Sequence, residues 1–84
     1  MNGIDYSKLR SLTARKLISA LRKDGFNLDR KSGSHRQYLH PDGRRVTVSF
    51  HHPGDTFRQK ILETMIEDQA KWTEQDLKRL KLLK

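Results

Sequence analysis

Apolar residues along this chain fall into periodic blocks separated by clusters of turn-forming residues. In the first block Ala14, Leu17, Ile18 and Leu21 recur at the spacing of one buried helix face, while Arg15, Lys16, Arg22 and Lys23 fall elsewhere. Thr13 is placed to cap this helix through its hydroxyl, Leu12 and Leu17 stand at hydrophobic-staple spacing, and Gly25 closes the far end. The period then changes to two. Phe26-Asn27-Leu28-Asp29-Arg30 alternates apolar and polar, Lys31 to Ser34 reads as a turn, and His35 to His40 is again extended in character. Pro41-Asp42-Gly43 is a second turn signal, because proline presets one dihedral and glycine permits a positive one. Arg45 to Phe50 alternates cleanly, with Val46, Val48 and Phe50 on one face, so the segments around Pro41 form an antiparallel hairpin.

His51-His52-Pro53-Gly54 breaks the third strand, and Asp55 or Thr56 is expected to cap a second helix. Phe57, Ile61, Leu62, Met65 and Ile66 form the predicted buried stripe of that helix. It pauses around Trp72, after which Thr73 caps a last short helix, Trp72 and Leu77 act as a staple, and Leu80 extends the apolar side. The predicted order is helix, three strands, helix, helix: an α+β domain whose antiparallel sheet carries helices on one face and turns the other to solvent. Residues 1–12 show little periodicity and read as an N-terminal arm, leaving 13–84 as a single domain.

Charge sharpens this picture. The 84 residues carry a formal net charge of +8, which favours nucleic acid or another polyanion as partner. Between residues 30 and 45 stand Arg30, Lys31, Arg36, Arg44 and Arg45 against the single acid Asp42, whereas Glu63, Glu67, Asp68, Glu74 and Asp76 crowd the later helices. The strands and their turns are therefore the expected phosphate-binding side. Without cysteine there is neither a disulfide framework nor a thiolate metal site. No apolar run approaches membrane-spanning length and the N-terminus lacks the layout of a secretion signal, so a cytoplasmic location is expected. His51 and His52 are adjacent, and neighbours on a strand point to opposite faces, which argues against a shared metal ion; no metal or cofactor is expected.

The segment Lys31-Ser32-Gly33-Ser34-His35-Arg36-Gln37-Tyr38, followed by His40-Pro41-Asp42-Gly43, resembles the HicA toxin family of bacterial and archaeal toxin–antitoxin systems. The resemblance extends upstream to Leu21-Arg22-Lys23-Asp24-Gly25-Phe26 and downstream through Val46-Thr47-Val48 and His51-His52-Pro53-Gly54 to Trp72-Thr73-Glu74-Gln75-Asp76-Leu77. It implies a fold like the double-stranded-RNA-binding domain, a metal-independent endoribonuclease acting on mRNA, and a cognate HicB-like antitoxin that covers the active surface. The family's catalytic histidine falls on His35. Three features depart from the family pattern: residues 1–12 exceed the usual start, the loop after the third strand lacks a Lys-Gly stretch, and the second helix reaches Lys71 without an Ala-Gly-Leu ending.

Such an enzyme uses the RNA's own 2′-hydroxyl as nucleophile, so it needs a base, an acid and cations. Histidine serves either proton role near neutral pH. Lys31, Arg36, Arg44 and Arg45 are the candidate cations for the phosphoryl oxygens, and the Gly33-Ser34 turn allows backbone amides near a phosphate. The second proton role is left open among His40, Tyr38 and water; His40, beside Pro41, reads first as a turn residue, and Tyr38 is either a stacking platform or core. Trp72 reads as staple before binding residue. Two rivals are a non-catalytic RNA-binding module of the same fold, distinguished only by His35, and a DNA-binding regulator, for which the chain lacks helix-turn-helix spacing.

Overall fold

In a computed structural model, described over residues 3–83, the chain runs from a 3₁₀ turn (Tyr6–Leu9) into helix α1 (Ala14–Lys23), strands β1 (Asn27–Ser32), β2 (His35–Leu39) and β3 (Arg45–Ser49), helix α2 (Gln59–Glu63), and, after a π-helical continuation (Thr64–Gln69), helix α3 (Glu74–Arg79). Met1 and Asn2 of the expected arm, and Lys84, lie outside the described residues. The strands form one antiparallel sheet in the order β1-β2-β3. This is the α+β, double-stranded-RNA-binding-domain-like layout that the periodicities and the resemblance predict.

One face of the sheet is core. Tyr38, Val46 and Val48 are fully buried there with Leu17, Ala20 and Leu21 of α1 and Leu62, Met65 and Ile66 of the second helical stretch. Strand alternation sends the intervening side chains, His35, Gln37, Leu39, Arg45, Thr47 and Ser49, to the open face. Trp72 is core, at 2% exposure, with its indole N–H donated to the Asp24 carboxylate (2.8 Å).

α1 begins as its sequence predicts: Thr13 Oγ1 accepts from the Lys16 amide (3.2 Å). The amides of Ala14 and Arg15 donate instead to the carbonyls of Asp55 (2.9 Å) and Pro53 (3.0 Å), so the loop after β3 fills the remaining first-turn donors. At the other end Gly25 takes φ +96 beneath the His40 ring, and a Cβ there would stand 3.0 Å from His40 Nε2, so a larger residue would be strained in its backbone and would press on that ring.

Four expectations are corrected. Tyr6, Leu9 and Leu12 are buried in the same core as α1, and the Tyr6 hydroxyl donates to Glu67, so the segment read as an arm is packed structure. β1 reaches Ser32 rather than stopping at Arg30, because Asp29 is an extra residue in a β-bulge between the pairs Leu28–Tyr38 and Arg30–Gln37. As an edge strand it buries none of its residues, and Leu28 is 44% exposed. The second helix starts later than expected: neither Asp55 nor Thr56 caps it. Asp55 accepts from the amides of His51 (3.0 Å) and His52 (3.1 Å), closing the loop, and Arg58 at the N-cap makes no side-chain cap. Ile61, expected in the buried stripe, is turned outward at 49% exposure, while Leu62, Met65 and Ile66 are buried. The turn out of this helix is made by Lys71 at φ +57.

Candidate active site

Two hairpins set the geometry. The β1–β2 connection is the two-residue Gly33-Ser34 turn, with Gly33 at φ +58, the conformation a type II′ hairpin asks of its first central residue. Nothing lies within 4 Å of where a Gly33 Cβ would stand, so the turn projects freely into solvent. His35 is the first residue of β2, paired with Ser32 on one side and Ser49 on the other. Its side chain is exposed on the open face, and no described residue hydrogen-bonds its ring. A free imidazole at the rim of an open sheet can take or give a proton to a bound molecule without first breaking an internal bond.

The other expected site residues divide by position. Lys31 pairs with Arg36 in register, one step from His35 and on the helix side of the strands; Arg36 lies over the Phe50 ring with its guanidinium carbon 4.7 Å from the centroid. Ser34 anchors the end of the sheet, its carbonyl accepting from the Phe50 amide (3.0 Å). Gly33 and Ser34 thus adjoin His35 in the turn, whereas Lys31 and Arg36 stand at the same end of the sheet with their side chains on its other face.

Arg44 and Arg45 are not. Arg45 pairs with Leu39, four residues along β2 from His35, or roughly 13 Å. Its guanidinium reaches back across the open face to Gln37 (2.7 Å) and to the bulge residue Asp29 (2.8 Å). Arg44 is turned to the helix side, bonded to Asp42 (2.8 Å) and the Ala70 carbonyl (2.5 Å), with its guanidinium 5.0 Å from the Phe26 centroid. Both charges are met by acids, Arg44 by Asp42 and Arg45 by Asp29.

The structure also decides between readings that sequence left open. Tyr38 is core, with no exposed surface. His40 is a joint of the fold: its Nε2 stands 2.8 Å from the Asp24 carbonyl oxygen, its Nδ1 lies 3.0 Å from both the amide nitrogen and the carboxylate of Asp42, and its edge meets Phe26. Sequence reasoning missed Arg30 as a member of the His35 face. The bulge at Asp29 places it opposite Gln37, 80% exposed and only 3.9 Å from Asp29. Charge counting found this residue, but only the register assigns its face. Among the described residues no three His, Asp or Glu side chains converge as a metal site would require. No described helix is long and apolar enough to cross a membrane.

Comparison with known proteins bears on the same residues. A family model described as the HicA toxin of bacterial toxin–antitoxin systems matches residues 14–72, from the first residue of α1 to the tryptophan that closes the core. No curated protein matches the chain. With that match covering most of the sequence, on the fold and order of elements the family resemblance implies, the chain belongs to the HicA toxin family, the toxin half of a toxin–antitoxin pair.

Proposed function

We propose that this toxin is a metal-independent endoribonuclease that cleaves mRNA, with His35 as its catalytic proton-transfer group. The observation that supports the reading is the His35 ring itself: exposed, without a hydrogen bond to any described residue, set beside the Gly33-Ser34 turn and on the same face as the Arg30 cation. In the reaction the 2′-hydroxyl loses its proton and its oxygen bonds to the adjacent phosphorus, while the bond to the 5′-oxygen breaks and that oxygen gains a proton. The products are a 2′,3′-cyclic phosphate and a 5′-hydroxyl, and no redox partner or hydrolytic water is consumed. His35 takes one of the two proton transfers. The other passes to water, since Tyr38 is buried and His40 is committed to Asp24 and Asp42 at the far hairpin. Arg30, on the open face with His35, neutralises charge that builds on the phosphoryl oxygens, and Lys31 and Arg36, on the other face at the same end of the sheet, hold the flanking RNA backbone. Arg45 serves as an outer contact farther along the strand, and Arg44 acts through the fold. A HicB-like antitoxin neutralises the protein by covering the open face.

The test is cleavage of a defined transcript by purified protein in excess EDTA, with end-group analysis of the products. The expected result is EDTA-resistant cleavage leaving cyclic phosphate and 5′-hydroxyl ends, abolished in His35→Ala while RNA binding persists. A 5′-phosphate product or a strict requirement for a divalent ion would overturn the mechanism. RNA bound but never cut by the unaltered protein would favour a non-catalytic RNA-binding module.

A further inference from the structure

Around the rim of the sheet from His35 lies a second concave surface. Arg15 of α1, Ile18 one turn later, Arg36 of β2, and Phe50 and Pro53 of the loop after β3 enclose a cleft of about 230 Å³. Its lining is unlike the rest of this basic surface. Ile18 and Phe50 are half-buried apolar side chains packed against the core, and they give the cleft an apolar floor. The Arg36 guanidinium is held over the Phe50 ring, which fixes a flat cation at its edge. Arg44 is matched with Asp42, Arg45 with Asp29 and Arg79 with Asp24 and Asp76, whereas Arg10, Arg22 and Arg58, unmatched among the described residues, stand away from any apolar cleft of this kind. Among the described residues no carboxylate pairs with Arg15 or Arg36. The acid of this loop, Asp55, is turned to the amides of His51 and His52.

We propose that this cleft is a subsite for one nucleotide of a bound RNA strand, its base packed against Phe50, Ile18 and the Arg36 plane and its phosphate held by Arg15. An apolar floor beside two unmatched guanidinium groups fits a flat base carrying an anion, and base stacking on aromatic and guanidinium planes is the common means of holding unpaired RNA. Connectivity puts the cleft and His35 at the same end of the sheet, on its two faces: Arg36 follows His35 in β2, and Phe50 follows Ser49, its partner in β3. A strand that passes the Ser34–Phe50 end of the sheet meets the two places in succession. The proposal rests on the ribonuclease reading for its biological meaning, but its binding test does not depend on cleavage.

The experiment uses the full chain carrying His35→Ala, isotope-labelled and titrated with a short single-stranded oligoribonucleotide. Shifts of the Phe50 ring and the Ile18 methyls, with cross-relaxation to base protons, are expected. Arg15→Gln and Phe50→Leu in this background weaken binding by about tenfold or more, while Phe50→Trp, which keeps an aromatic plane, retains it. In the otherwise unaltered protein the first two variants raise KM more than they lower kcat, and the cut ends stay the same. Shifts confined to Arg30, His35 and Gln37, with both variants binding as before, would overturn the subsite and leave the ribonuclease reading standing. Variants that bind RNA normally but lose antitoxin affinity would likewise overturn it, assigning the cleft to a protein partner. RNA that shifts the cleft residues but is never cut would support the subsite while sinking the enzyme.

Discussion

Asp24 offers the sharpest test of how this small fold holds together. It follows α1 directly, its side chain is 12% exposed, and it joins three elements. Its carboxylate accepts the Trp72 indole N–H (2.8 Å), pairs with Arg79 of α3 (3.0 Å) and stands 3.7 Å from Arg44 of the β2–β3 hairpin. Asp24→Ala leaves the indole N–H of a 2%-exposed tryptophan without its acceptor, at a cost of about 1–3 kcal/mol. The Arg79 pair adds little, about 0–1 kcal/mol, because that guanidinium is half in solvent and keeps Asp76. Arg44 also keeps its other partners, Asp42 and the Ala70 carbonyl. The expected loss is therefore about 2–3 kcal/mol, a fall in Tm of roughly 10–20 °C for a domain this size. Asp24→Asn keeps an acceptor for the indole and removes a negative charge from the unfavourable end of α1, so its cost is below about 1 kcal/mol. Urea unfolding at neutral pH, followed by Trp72 fluorescence and far-UV circular dichroism, measures both. If Asn proves as costly as Ala, the ion pairs and not the indole bond carry the contribution, and the reasoning fails.

Other outcomes follow from the same geometry. Lys71→Gly should stabilise the protein by about 1 kcal/mol in the same unfolding assay, since it relieves a side-chain-bearing residue held at φ +57. Tyr6→Phe should destabilise by about 1–2 kcal/mol through loss of the bond to Glu67; no change would mean the N-terminal turn is not part of the cooperative unit. Asp55 titrates below its ordinary value of 3.8 because the His52 and His51 amides hydrogen-bond its charged form, and Asp42 does so chiefly through the Arg44 amide. Depressed carboxylates give stability that is complete above that value and lost as pH falls through the lower folded values, so Tm should decline in acid below about pH 4. Asp55→Asn should flatten that decline.

The elements with a clear period and ordinary punctuation were legible in the chain itself. α1 was bounded by Thr13 and Gly25, and β2 and β3 by the Pro41-Asp42-Gly43 turn, and each stands where those residues put it. What escaped had no period to read. Tyr6 and Leu9 lie three apart on a single 3₁₀ turn, too short a run to distinguish from an arm. The Asp29 bulge interrupts an alternation already weak on an exposed edge strand, and with it goes the register that sets which cations share a face with His35. For the site, spacing and resemblance drew attention to His35 and its neighbours. Separating Arg36, beside His35, from Arg44, bound to Asp42 and the Ala70 carbonyl, took the pairing partners of each arginine. Asp55 looked like a helix cap because it precedes a helix, but its oxygen is spent on amides behind it.

The two loop carbonyls that receive the Ala14 and Arg15 amides give this protein an unusual reporter. In most helices the leading amides exchange with solvent quickly, whatever the rest of the molecule does. Here their hydrogen bonds belong to Pro53 and Asp55, so their exchange clocks the lifting of the loop that walls one side of the cleft. Protection of just these two amides, followed as a partner is added, would distinguish an occupant that clamps the loop down from one that displaces it.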